Sequence, residues 1–137
     1  MLFRSLNETE PRARLIGAVM SSFQLMAGGR LAVIKLTQEV MKACGATQQM
    51  TEDLINEPQR IGSVMACLMF VEPADNGPVR VSLRSKRDVD VAAIAARFGG
   101  GGHARAAGAK VAGRLDDVCD RVVQAVVKGL STESDKS

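Results

Sequence analysis

The chain contains no tryptophan and no tyrosine, and only four of its 137 residues are aromatic, all of them phenylalanine. The core must therefore be aliphatic, and the lack of flat side chains argues against a long platform for stacking the bases of a nucleic-acid strand. No segment has the ~18 uninterrupted apolar residues of a membrane span, and the N-terminus carries no signal-peptide pattern. We therefore expect a cytoplasmic protein that makes no contact with a membrane.

Metal ligands are equally scarce. The chain has one histidine, His103, and its three cysteines stand far apart, at Cys44, Cys67 and Cys119. This set has no zinc-type spacing, and the apolar neighbours of the cysteines predict buried free thiols in a reducing compartment. Two-metal phosphoryl chemistry requires carboxylates and imidazoles in a cluster. The sequence therefore predicts no metal site and no catalytic residue within this chain.

The acidic residues fall into two groups near the starts of predicted helices, at Asp88, Asp90, Asp116, Asp117 and Asp120. The helix dipole favours negative charge in the first turn, so we interpret both groups as helix-start residues and not as ligands. The net charge of +3 indicates a mild preference for anionic partners.

The most informative segment is GGGGHARAAG, from Gly99 to Gly108. Consecutive glycines contribute no side chain and allow backbone conformations closed to other residues, so their N–H groups can converge on an anion. His103 follows the glycines directly, and Arg105 lies close behind. A flexible loop is the alternative interpretation of the glycines. The apolar helix pattern before the run and the small-residue strand after it favour a phosphate-handling site instead.

Hydrophobic periodicity predicts one α/β (α+β) domain over residues 12–130, preceded by a linker remnant at 1–11 and followed by a disordered tail at 131–137. Helices are predicted at 12–27, 38–43, 51–56, 88–98 and 115–130. Strands are predicted at 30–36, within 62–71, at 79–85 and at 106–111, the second and third forming a hairpin. Together these elements imply a mixed sheet of about four or five strands flanked by helices.

The glycine run resembles the GGGH-x-x-AAG signature that closes the C-terminal domain of DHH-family phosphoesterases, and most of all the branch of oligoribonuclease/pAp phosphatases (nano-RNases, RecJ-like). The resemblance extends to the S-L-R-S strand at Val81–Lys86 and to the helix Asp90–Ala95. A looser likeness runs back through residues 61–64 and Asn56 to the stretch 30–37. The resemblance as a whole covers roughly residues 12 to 130.

The resemblance implies a substrate-binding half of an enzyme. The family's manganese ions and its Asp-His-His motif belong to an N-terminal catalytic domain, which this chain does not contain. The chain alone is therefore expected to be inactive, with that catalytic domain as its partner and short RNA, DNA or nucleotide phosphates as its ligands; a homodimer is left open. The residues implied for substrate binding are Arg84, His103, Gly100, Gly101, Gly102, Ser82, Ser85 and Arg105.

Chemistry supports this set residue by residue. A guanidinium such as that of Arg84 can grip a phosphate through two parallel hydrogen bonds, and His103 can donate another. Two other functions stay open: a stand-alone nucleic-acid-binding module, similar to the glycine-rich domain of alanyl-tRNA synthetases, and a cyclic-dinucleotide or polyphosphate phosphoesterase domain. His103 favours the phosphoesterase branch over the first, since the synthetase motif generally lacks a histidine there.

Overall fold

The computed structural model describes residues 9–87 and 89–136. Four α-helices occupy this part of the chain: α1 (Glu10–Ser22), α2 (Gln38–Cys44), α3 (Val91–Ala96) and α4 (Leu115–Lys136). The strands are β1 (Gln24–Met26), β2 (Leu31–Leu36), β3 (Ala66–Val71), β4 (Val79–Ser85), β5 (Gly101–His103) and β6 (Ala106–Val111). Three 3₁₀ turns, at Gln48–Thr51, Leu54–Asn56 and Pro58–Arg60, connect α2 to β3.

All the strands join one mixed sheet in the order β1-β2-β3-β4-β6-β5. Strands β2 and β3 are parallel, and the other neighbours are antiparallel. The predicted α/β class and the predicted β3–β4 hairpin are therefore confirmed. The sheet has six strands, where four or five were expected, because two short edge strands have no clear signal in the sequence.

Two apolar layers cover the sheet unequally. On one face, α3 and α4 pack along nearly its whole width, against residues such as Leu68, Val81 and Ala109. On the opposite face, α1, α2 and the 3₁₀ turns cover β2 and β3, through Ile34 and Met69 among others, and the turn Leu54–Asn56 reaches the near side of β4. Within residues 9–87 and 89–136, no α-helix packs on the rest of that face, which β4, β6 and β5 form. We call it the open face.

The first missed strand is β1. The sequence predicts a helix up to Ala27, but α1 ends at Ser22 and the chain turns into an extended strand that pairs with β2. The turn between the two strands requires positive φ at Ala27, Gly28 and Gly29. The start of α1 also differs, because the Thr9 hydroxyl caps the helix and begins it at Glu10. The rest of the predicted linker, residues 1–8, lies outside the described residues.

The helix predicted at 51–56 is wrong, since the chain forms 3₁₀ turns at Gln48–Thr51 and Leu54–Asn56 there. Other boundaries differ by a turn or less, with two exceptions. Helix α3 is shorter than predicted, since Asp90 caps it by accepting from the Ala93 N–H, and Asp88 lies outside the described residues. Helix α4 extends through Lys136, so the residues predicted as a disordered tail are helical up to that point. Ser137 lies outside the described residues. No proline interrupts this stretch, which explains why the helix can continue.

Candidate functional site

The open face carries the polar residues of β4. Side chains of a strand alternate between the faces of a sheet, and Val79, Val81 and Leu83 are buried against α3 and α4. Arg80, Ser82 and Arg84 therefore point to the open face.

The register of β6 and β5 places the glycine run beside these residues. Ala106 pairs with Arg84 on one side and with His103 on the other, while Gly108 pairs with Ser82 and with Gly101. Strands lie ~4.8 Å apart, so the backbones of Arg84 and His103 are roughly 10 Å apart on one face. Ala106 lies between Arg84 and His103, and Gly108 and Gly101 lie next to it on the same face. These three small residues form a low surface between the guanidinium and the imidazole, which we call the floor.

Gly101 and Gly102 belong to strand β5 and not to the loop predicted for the glycine run, while Gly99 and Gly100 precede the strand. Close packing requires glycine at two positions of the run, Gly100 and Gly102. A Cβ on Gly100 would stand 2.1 Å from the carbonyl oxygen of Gly108, and one on Gly102 would stand 2.6 Å from the Cα of Ala107. Gly102 also has φ of 145°. Gly101 differs, since a Cβ there would meet nothing within 4 Å. Its empty side faces the open face.

A groove of about 580 Å³ follows this floor, between the glycine strand and β4. Its lining residues are Arg80, Val81, Ser82, Arg84, residues 99–102 and residues 106–110. A smaller cavity of about 230 Å³ lies on the same face of the sheet, between β4 and β3. There Thr51 and Glu52 line the cavity together with Arg80, Ser82 and Arg84. Four predicted site residues in addition to Arg84 therefore line the groove: Ser82, Gly100, Gly101 and Gly102. His103 stands exposed at its edge.

Arg84 is half-buried, and its guanidinium donates hydrogen bonds to backbone carbonyl oxygens alone. Its Nη1 donates to the carbonyl oxygens of Leu83 at 3.0 Å and of Ala107 at 3.5 Å. Within the described part of the chain, no carboxylate forms an ion pair with it. On the neighbouring strand β3, Cys67 pairs with Arg84. Burial raises the pKa of the Cys67 thiol to about 12, although the positive charge of Arg84 opposes the shift. The thiol is therefore protonated at neutral pH and is not a nucleophile.

Ser85 and Arg105 lie outside the groove. Ser85 is on the opposite face from Ser82, is buried, and donates from Oγ to the carbonyl oxygen of Val89 at 2.6 Å. Arg105 donates to the same carbonyl and, at 3.1 Å, to Ser85 Oγ. These bonds tie the β5–β6 turn to the start of α3. The strict alternation along β4 already separates Ser85 from Ser82, and that signal could have removed it from the predicted set.

The N–H of Gly100 is also engaged, since it donates to the carbonyl oxygen of Ala95 at 2.9 Å as α3 ends. It is therefore not a free donor for an anion, contrary to the sequence-based expectation. Sequence reasoning missed two cations of the groove, Arg80 and Lys110. Arg80 could have been found from the alternation of β4, but Lys110 becomes a groove residue only through the pairing of β4 with β6.

The described residues do not form a cluster that fits a pair of manganese ions. Among residues 9–87 and 89–136, no three histidine, cysteine, aspartate or glutamate side chains gather as a metal site. The one histidine, His103, shares its pairing partner Ala106 with the cationic Arg84. Within the same residues, no helix is long and apolar enough to cross a bilayer.

Comparison with known proteins identifies the family of this chain. The DHHA1 domain model matches residues 28–128, which include the whole sheet from β2 onwards and the glycine strand. The chain belongs to the DHHA1 family, the DHH-associated domains of phosphoesterases. This confirms the resemblance inferred from the glycine-histidine signature.

Two curated relatives specify the branch. The chain is 35% identical over 120 residues to the bifunctional oligoribonuclease and PAP phosphatase NrnA of Thermus thermophilus, covering 86% of this chain and 35% of that protein. It is 36% identical over 97 residues to the probable NrnA of Streptococcus mutans, covering 71% of this chain and 30% of that protein. The chain thus spans about a third of the length of these relatives.

Solved structures agree on the fold. An exopolyphosphatase-related protein from Bacteroides fragilis superposes with a TM-score of 0.79 at 26% identity, over 93% of this chain and 36% of that one. A pGpG-specific phosphodiesterase from Vibrio, PggH, superposes with a TM-score of 0.58 at 13% identity, over 89% of this chain and 39% of that one. The second likeness concerns the fold alone.

Proposed function

We propose that the groove on the open face binds a phosphate of a short oligoribonucleotide or of pAp. In this proposal the chain is the substrate-binding domain of a cytoplasmic phosphoesterase. An N-terminal DHH domain of the same protein would hold the manganese ions and carry out hydrolysis. The relatives are named for activity on these substrates, and each is about three times as long as the stretch this chain covers.

One observation carries the proposal: Arg84 faces a floor of alanine and glycine with no carboxylate paired to it in the described chain. A guanidinium held by carbonyl oxygens in a groove is attracted to any anion that fits, because its charge is not otherwise neutralised. The bare surfaces of Gly101 and Gly108 let a phosphate approach the sheet closely. A nucleoside without phosphate has no comparable anchor there.

The groove residues then take separate roles. Arg84 supplies two donors to the phosphate oxygens, and the Ser82 hydroxyl, on the same face, supplies another. His103 donates from the edge of the floor. Gly100 and Gly102 act through close packing, which holds Gly101 next to β6 on the open face. Ser85 and Arg105 fix the turn that carries His103. The last two residues are thus assigned to support and not to contact.

Titration of the chain with pAp, AMP and adenosine, followed by NMR, tests the proposal. The two phosphates should shift the amides of Ser82, Arg84 and Gly101, and adenosine should not. Arg84→Ala should abolish these shifts, whereas Lys42→Ala, which removes an exposed charge on α2, should not. Equal affinity for adenosine, or shifts confined to other parts of the chain, would contradict a phosphate site. Shifts from pGpG or polyphosphate alone would favour the other phosphoesterase substrates.

A further inference from the structure

We infer that Arg80 and Lys110 form a second anion site in the same groove, so that the groove binds ligands long enough to reach both sites more tightly than shorter ones. The expected ligand is a single strand of two to four nucleotides, with one phosphate at Arg84 and a later one at the Arg80–Lys110 pair. This inference rests on the phosphate site proposed at Arg84. It adds discrimination between short and longer ligands, which Arg84 alone cannot provide.

The first argument is the pairing of like charges. Arg80 and Lys110 are directly opposite each other on antiparallel strands, both are exposed, and both line the groove. Side chains in such positions have Cβ atoms ~5 Å apart, and like charges there destabilise a sheet. Within the described residues, neither side chain has a hydrogen bond or an ion pair that would relieve the repulsion. A bound anion would do so.

The second argument is distance. Arg80 and Arg84 lie on the same face of β4, separated by two alternations of the strand. Four residues of a strand cover about 13 Å. A stacked nucleic-acid strand carries one phosphate per ~3.4 Å, so this length corresponds to about four stacked nucleotides, and to fewer if the strand is extended. A mononucleotide cannot reach both ends of the groove.

The third argument is the charge of the remaining walls. Between the two cationic ends the floor is neutral, formed by Ser82 and Gly108. Glu52 is the acidic side chain among the described residues that line the groove and its neighbouring cavity, and it lies across β4 from the glycine strand. The charge pattern is therefore cation, neutral floor, cation. It matches a backbone with phosphates at intervals better than it matches one compact polyanion.

Affinities for 5′-phosphorylated oligoadenylates of one to four nucleotides test this inference on the chain as it stands. Affinity should rise with length up to the tetranucleotide. Arg80→Gln and Lys110→Gln should each weaken tetranucleotide binding by about five- to tenfold and lower the salt dependence, the slope of log K against log salt, by about 0.7. Neither should change AMP affinity by more than about twofold. Lys42→Gln, an equal loss of charge outside the groove, should change neither affinity.

The outcomes separate the two proposals. If AMP and the tetranucleotide bind equally well, or if the Arg80 and Lys110 variants bind the tetranucleotide as the parent does, the second site is wrong. The phosphate site stands in that case, provided that Arg84→Ala still abolishes binding. If no oligoadenylate perturbs Arg84, the proposed function fails and this inference with it. Unchanged melting temperatures of the two exposed variants would show that the differences arise from binding.

Discussion

Gly102 lies against Ala107 so closely that no side chain fits between them. A Cβ at Gly102 would stand 2.6 Å from the Ala107 Cα and 3.0 Å from its Cβ, and the φ of 145° at Gly102 is unfavourable for any other residue. The neighbouring Gly101 has neither constraint. Two adjacent glycines of one signature thus serve different purposes: Gly102 is needed for the fold, and Gly101 keeps the groove empty.

This difference predicts opposite results for the same substitution. Gly102→Val should lower the free energy of unfolding by about 2–5 kcal/mol, since it adds backbone strain and overpacking. Gly101→Val should change it by less than about 1 kcal/mol, because valine suits an extended strand, but should block phosphate binding. Urea denaturation of both variants measures the first effect and NMR titration with AMP the second. Equal destabilisation by both substitutions would contradict the distinction.

Arg84 should act on binding and hardly on stability. Arg84→Lys should weaken phosphate binding nearly as much as Arg84→Ala, because lysine cannot reproduce the two-point geometry; each charge-assisted bond contributes roughly 1.5–3 kcal/mol. We expect both variants, and His103→Ala, to unfold within about 0.5 kcal/mol of the parent chain. Calorimetric titration with pAp and thermal melts measure the two quantities. A collapse of the alanine variants on heating would make these residues structural.

Ser85 should behave in the opposite way. Its Oγ is buried and donates to the Val89 carbonyl oxygen, and it accepts from Arg105. Ser85→Ala removes these buried hydrogen bonds, while Arg105 still donates to the Val89 carbonyl oxygen. The substitution should therefore cost about 0.5–1.5 kcal/mol, whereas Ser82→Ala, on the open face of the same strand, should cost less than about 0.5 kcal/mol. Chemical denaturation of this matched pair gives the comparison. An equal loss of stability at both positions would show that Ser85 contributes no more to the fold than the exposed Ser82.

The Cys67 thiol predicts a loss of stability at alkaline pH. Its pKa is about 12 in the folded chain, against 9.0 for an ordinary thiol. The unfolded chain therefore releases this proton first as the pH rises, and the stability that is fully present below pH ~9 declines from there towards pH ~12, by up to ~1.4 kcal/mol per pH unit. Denaturation curves from pH 8 to 10.5 should show the decline, reduced in Cys67→Ala. Cys119, whose pKa burial also raises, adds to the remaining slope.

Hydrolysis provides a last prediction. The chain gathers no metal-ligating cluster within its described residues, so it should not hydrolyse pAp or short RNA, even in excess manganese. Phosphate release and chromatography of the RNA products are the measurements. Activity that survives repurification but is lost in His103→Ala would mean that the chemistry takes place at this groove.

The parts of the fold that were predictable depend on local signals. The β3–β4 hairpin follows from an apolar run, a turn rich in proline and glycine, and a cleanly alternating strand. Strand β1 was missed because Phe23 and Met26 continue the helical spacing of α1, and only the turn at Ala27 and pairing with β2 make them extended. Strand β5 was missed because glycine has no strand preference; its contact with β6 creates it.

The candidate site shows the same limit. Alternation along β4 was sufficient to put Ser82 and Arg84 on one face. It could not bring Lys110 to the groove, because that requires knowing which residue of β6 faces Arg80. Nor could proximity in sequence show that Arg105 turns away from His103 to bond the Val89 carbonyl. Once a turn lies between two residues, the number of residues separating them predicts little about the distance between their side chains.

The open face is a sheet whose other side is sealed by α3 and α4, and this has a thermodynamic consequence. A ligand entering the groove meets groups whose backbone is already ordered, so binding does not have to freeze a loop. Association should therefore be rapid and limited by encounter, with specificity expressed mainly in how quickly each ligand leaves. A ligand that lacks the phosphate reaching Arg80 should therefore leave the groove sooner than a longer ligand that has it.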